Sequence, residues 1–179
     1  MNAFGELWRA ITGWFELLLA RPKAREKFTL TRAGLVNAAG FYFAMVLLII
    51  AIESALTRFP GWLQVVLSLL VNGLYLGAAL FVTWATARLL KAPALAIAVP
   101  VTYAMGLLLG TSWIVAYFAG PGALAFVMAL RVLMFFRAAR EMGQLGFGVS
   151  TAFAILCTAL LAAIPPGLYM LVTSILGPF

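Results

Sequence analysis

Few residues in this chain can do chemistry, and their types limit what they can do. Among 179 residues there is no His and no Asp, and the acids are Glu6, Glu16, Glu26, Glu53 and Glu141. Hydrolysis, acyl transfer and metal chemistry draw on His, Asp, paired carboxylates or clustered ligands. Five dispersed glutamates supply none of these. No glycine-rich phosphate loop follows a strand-like run. The sequence therefore predicts no enzyme, no catalytic residue, no metal site and no cofactor. The single cysteine, Cys157, lies inside an apolar run and reads as a small buried hydrophobe.

What remains is cationic. Arg21, Lys23, Arg25, Lys27 and Arg32 crowd into "LLLARPKAREKFTLTRAG" between two apolar stretches, and Arg131 sits inside another apolar run. Such a knot of cations attracts anionic headgroups. An ionisable side chain inside a spanning helix is a functional candidate by default. Arg131 lies six residues before Arg137, about 9 Å along a helix, so its long stem could snorkel to the interface or cap carbonyls. The other options are pairing with Asn72, Tyr75 or Glu53, or holding an anionic lipid headgroup. Asn37 and Asn72 are uncharged polar residues in apolar runs and are expected to hydrogen-bond between helices.

The surroundings of these residues identify the solvent. The chain is 65% apolar and 9% charged, with mean hydropathy +1.11. Soluble domains are about 45–50% apolar and about 25% charged. A chain of this size cannot hide so much apolar surface from water, so lipid must surround it. The net charge of +7 does not point to nucleic acid, because the cations mark the ends of hydrophobic runs and form no basic face.

Five spans are expected, at about 34–54, 62–87, 95–118, 122–140 and 149–174, each close to the ~20 residues that cross a bilayer. The domain reading is 1–32, an amphipathic helix with a basic linker, and 33–179, a five-helix transmembrane domain of all-α class. In "AFGELWRAITGWFELLLA" the residues Phe4, Leu7, Trp8, Ile11, Trp14, Phe15 and Leu18 recur near the helical period, with Glu6, Arg9, Thr12 and Glu16 mostly opposite. This predicts a helix lying in the membrane interface, packed against the protein's own spans, or both. Pro22 ends it or opens the next turn, and Thr31 is the expected N-cap of the first span. With five spans, eleven of the twelve basic residues fall on one side and Arg58 alone on the other. The positive-inside rule then predicts the N-terminus in the cytoplasm and the C-terminus outside. The N-terminal stretch carries Glu6 and Glu16 and lacks the pattern of a signal peptide. A bacterial inner membrane is the expected location.

Glycines at spacing four, Gly73 with Gly77 and Gly106 with Gly110, are expected to let helices approach closely, within one bundle or in a homo-oligomer. Pro100 and the Pro165–Pro166 step are expected to break helices, the latter near the outer surface.

This layout resembles the Yip family of five-span membrane proteins, in its small bacterial form. The features that carry the resemblance are an amphipathic helix leading into "ARPKAREKF", and a short fourth span running through a basic, glycine-containing loop into a small-residue span, "ALRVLMFFRAAREMGQLGFGVSTAFAIL". It covers nearly the whole chain at the level of pattern. It implies the five-span fold and a non-enzymatic role in organising membrane components or binding a partner. Eukaryotic members carry a longer cytoplasmic N-terminal region that contacts small GTPases. No such region is present here, so GTPase binding is not implied. The expected function is a scaffold that holds anionic lipid or a partner protein at its cytoplasmic face. The alternative is a small transporter or channel, or an accessory subunit, with Arg131, Asn72 and the proline breaks along its path.

Overall fold

The computed structural model describes residues 3–56 and 61–176. Arg58, the one basic residue expected on the far side, and the last three residues, Gly177–Phe179, lie outside the described residues.

Helix α1 spans Ala3–Leu18. It closes through Ala20, whose φ of 54° is left-handed, with the Arg21 N–H donating to the Glu16 carbonyl at 2.9 Å. A 3-10 turn, Pro22–Lys27, follows with Pro22 at its start, where a missing N–H costs nothing. Helix α2 spans Arg32–Leu56. Thr31 caps it: the Gly34 N–H donates to Thr31 Oγ1 at 3.1 Å and the Leu35 N–H to the Thr31 carbonyl at 3.0 Å. Helices α3, Trp62–Leu90, and α4, Ala94–Ala119, come next. Helix α5, Leu124–Arg137, winds into a π turn, Ala138–Met142. Helix α6 spans Phe147–Leu176. No strand occurs among the described residues.

Four of these helices, α2, α3, α4 and α6, are long and apolar enough to cross a membrane, so the chain is a polytopic membrane protein in its composition and lengths. The expected span at 122–140 differs. Helix α5 has 14 residues, about 21 Å at the helical rise, against a hydrocarbon core of about 30 Å. Its turn widens into the π form where Gly143 presses on α4. A Cβ at Gly143 would lie 2.6 Å from the backbone oxygen of Ala139 and 2.7 Å from Ile97 Cδ1, so a larger residue would force the backbone of the turn to shift.

Two expectations about helix breaks are corrected. Helix α4 passes through Pro100, and α6 passes through Pro165 and Pro166. A proline deletes one donor and its φ near −65° is helical. In a surrounding without competing water the rest of the ladder holds.

Helix α4 is the axle. It is buried almost continuously from Ala96 to Gly106 and packs against α1, α2, α3 and α5. The α2–α4 seam uses Gly106 and Gly110. A Cβ at Gly106 would meet Phe41 Cε1 at 2.7 Å, and one at Gly110 would meet Met45 Cε at 2.6 Å. The second pair does not pack as expected. Gly73 would have only Phe43 Cζ at 4.0 Å, and Gly77 nothing within 4 Å, because α3 turns Leu76, Ala79 and Thr83 inward instead.

Buried residues are unevenly distributed along the helices. None lies beyond Val46 on α2, before Leu76 on α3, beyond Gly110 on α4, or beyond Leu161 among the described side chains of α6. Past those points the inward stripes continue only half-buried. The bundle is dense at the end carrying Arg32, Lys91 and the π turn, and loose at the other.

Candidate functional site

Helix α1 has three faces. At about 100° per residue, Glu6, Ala10, Gly13, Trp14 and Leu17 share one side, and all are buried. Trp8, Phe15 and Leu19 form a second, exposed side, with Trp8 61% and Phe15 66% exposed. Gly5, Arg9, Thr12 and Glu16 form the third. Glu6 is a correction to the sequence reading, which placed it on the polar side. It is 6% exposed and accepts a hydrogen bond of 2.6 Å from Asn37 Nδ2 on α2. The N-terminal turn of α1, whose dipole favours an anion, holds the carboxylate as well. The inner face continues into the linker. Trp14 meets Phe28 edge-on at 6.1 Å, and Phe28 lies 6.4 Å from Tyr103 of α4.

The linker cations separate. Arg21, Lys23, Arg25 and Arg32 are exposed. Lys27 is half-buried and lies 4.0 Å from Glu16, a contact at the outer limit of an ion pair between linker and helix. At the same end of the bundle, Arg137 pairs with Glu141 at 3.5 Å.

Arg131 lies elsewhere. It lines a cleft of about 350 Å³ to which all five helices α2–α6 contribute, a volume at the small end of ligand pockets. Its polar neighbours there are Tyr42, Asn72, Tyr75 and Ser112; Leu161, Ala162 and Pro165 supply the α6 wall. The Tyr42 hydroxyl donates to the Asn72 carbonyl at 3.2 Å and Asn72 Oδ1 at 3.0 Å. Asn72 Nδ2 donates to the Ser68 carbonyl at 2.8 Å, and Ser112 Oγ to the Leu108 carbonyl at 2.6 Å. Among the described residues, no hydrogen bond or ion pair engages the Arg131 guanidinium or the Tyr75 hydroxyl. Of the partners the sequence suggested, Asn72 and Tyr75 reach the cleft and Glu53 does not. Tyr42 and Ser112 were not foreseen. Both sit in apolar runs with no periodic polar signal, and only the bundle's topology brings them together.

Pro165 and Pro166 also bear on this cleft. Lacking N–H groups, they leave the carbonyls of Leu161 and Ala162 without their usual i+4 donors, and both residues line it. A second, apolar cleft of about 290 Å³ lies between α1 (Ile11, Trp14, Phe15, Leu18) and α4 and α5. Leu108 borders both clefts.

Comparison with known proteins finds no matching protein family, no matching curated protein and no matching solved structure.

Proposed function

We propose that this chain is a non-enzymatic integral membrane protein that organises membrane components by holding anionic lipid at its cytoplasmic face. In this reading α2 to α6 make five crossings, α5 completing its passage through the π turn. The N-terminus lies in the cytoplasm, and the membrane is a bacterial inner membrane. The resemblance to the Yip family belongs to the same proposal.

The observation that carries it is the three-faced α1 joined to an exposed basic linker. A helix that buries one side in its own bundle needs no second apolar side in water. Trp8, Phe15 and Leu19 make sense where acyl chains meet them, with the half-buried Arg9, Thr12 and Glu16 along the neighbouring side. Arg21, Lys23, Arg25 and Arg32 then stand at headgroup level. Each cation near an anionic surface contributes about 1 kcal/mol.

The test is co-purification and vesicle binding of the full chain with Arg21, Lys23, Arg25 and Arg32 replaced by Gln. At about 1 kcal/mol per cation, anionic lipid retention should fall more than tenfold, with binding to neutral vesicles unchanged. Undiminished retention would defeat the proposal. If retention of a protein partner falls instead, the face is a protein-docking surface. For topology, reporters placed before Met1 and after Phe179 should report opposite sides of the membrane.

The cleft around Arg131 favours a second reading, a small transporter or an accessory subunit of one. Reconstituted vesicles decide it by solute or ion flux that Arg131→Ala abolishes.

A further inference from the structure

The Arg131 cleft is a separate feature from the basic linker, and its chemistry can be read independently of the function proposed above. Its donors and acceptors are unequal. The amide of Asn72 donates to its own helix and its oxygen accepts from Tyr42. The Ser112 hydroxyl donates to its own helix. Beside the second N–H of Asn72 and the neutral hydroxyl lone pairs of Tyr42 and Ser112, what is left on the side chains is a guanidinium, with five N–H donors and no acceptor, and the Tyr75 hydroxyl. No Glu lines the cleft. A cation held inside a bundle without a carboxylate is costly unless something else neutralises it. The rest of the wall, Met105, Leu108, Leu109, Met128 and Leu161, is apolar.

We propose that this cleft is a binding site for an anionic amphiphile. A carboxylate or phosphate group would sit between the Arg131 guanidinium and the Tyr75 hydroxyl, and the first part of an acyl chain along the Met and Leu wall. Three observations meet here: an uncompensated cation, an unengaged neutral donor beside it, and a cavity of about 350 Å³ lined on its other sides by hydrocarbon. The guanidinium forks onto two oxygens of one planar or tetrahedral anion. The looser packing past Val46, Leu76, Gly110 and Leu161 leaves the tail a way out between helices toward the far leaflet. The bland competitor is a purely structural arginine that reaches the carbonyls freed by Pro165 and Pro166.

The experiment uses the detergent-purified full chain titrated separately with oleate, lysophosphatidate, lysophosphatidylcholine and inorganic phosphate, read by calorimetry and by the shift in Tm. Oleate or lysophosphatidate should bind saturably, one per chain, and raise Tm. Lysophosphatidylcholine and inorganic phosphate should bind at least tenfold more weakly. Which of the two amphiphiles binds more tightly identifies the headgroup as carboxylate or phosphate. Arg131→Gln should weaken the binding tenfold or more, as expected for loss of a charged hydrogen-bonding partner. Arg131→Lys should recover part of it, and Tyr75→Phe should weaken it about fivefold. The titrations are run in the background with Arg21, Lys23, Arg25 and Arg32 replaced by Gln, so that attraction of the anionic amphiphile to the basic linker does not add to the signal from the cleft. If Arg131→Gln does not fold, Ala162→Leu fills the cleft with the arginine present and should abolish the binding. Four results would overturn the proposal: saturable binding unaffected by Arg131→Gln and Ala162→Leu, equal binding of lysophosphatidylcholine, inorganic phosphate binding as tightly as the amphiphiles, or a folded chain of that background, with Arg131 intact, that binds neither anionic amphiphile.

Discussion

Gly106→Ala tests the packing of the bundle most directly. The added Cβ would lie 2.7 and 2.9 Å from two carbons of the Phe41 ring and 3.4 Å from Tyr42 Cα. The Tyr42 Cα is at ordinary contact distance, so the clash falls on the Phe41 ring, which must shift by several tenths of an ångström while packed 5.9 Å from the buried Tyr103 ring of α4. Overpacking of this kind costs about 1–3 kcal/mol, and replacing a helical glycine returns up to about 1 kcal/mol. The expected net loss is about 1 kcal/mol, near a fivefold shift in the folded-to-unfolded ratio. Gly110→Ala meets only the flexible tip of Met45 and should be close to neutral. Gly77→Ala meets nothing and should be neutral or slightly stabilising. All three can be measured by reversible unfolding in mixed micelles of rising denaturing-detergent fraction. Phe41→Leu in the Gly106→Ala background should recover most of the loss, giving a coupling of at least 0.5 kcal/mol, the usual range for residues in contact. If Gly77→Ala destabilises as much as Gly106→Ala, the assignment of the seam is wrong.

Other outcomes follow from local geometry. Thr31→Ala removes the α2 cap and should cost about 1 kcal/mol in the same unfolding assay, while Thr31→Ser should be tolerated. Asn37→Leu leaves the buried Glu6 carboxylate without its side-chain donor and should cost about 1.5–3 kcal/mol; the Glu6→Leu, Asn37→Leu pair should cost less than Asn37→Leu alone. Ala20→Gly relieves a left-handed residue and should stabilise by up to about 1 kcal/mol, read as a higher detergent midpoint. Tyr42→Phe removes the bond to Asn72 and should cost about 1 kcal/mol.

What the sequence made legible follows from the range of the forces involved. Span positions and the Thr31 cap depend on residues within a turn or two of each other, and the expected boundaries fall within a few residues of the helices. Helix α5 was expected to be longer because hydropathy does not register the π turn, which exists where Gly143 meets Ile97 from α4. The two glycine pairs look alike in the sequence, and which of them faces a neighbour is decided by the rotation of α3 in the bundle. Glu6 looked like a surface acid because its partner, Asn37, lies 31 residues away. Arg131 stood out as an intramembrane cation, with Asn72 and Tyr75 among its possible neighbours. That Tyr42 and Ser112 join them could not be read from two apolar runs.

The gradient of burial from one end of the bundle to the other has a mechanical consequence. Close-packed interiors resist deformation, so the end around Ala96–Gly106 behaves as a stiff collar. The opposite ends of α2, α3 and α6, tied by fewer fully buried side chains, can change tilt at small cost. A bilayer that thickens or thins is met by tilting of helices, at fractions of a kcal/mol per ångström. In this molecule that adjustment falls on the compliant rim and leaves the collar, with α1 clasped to it, in place.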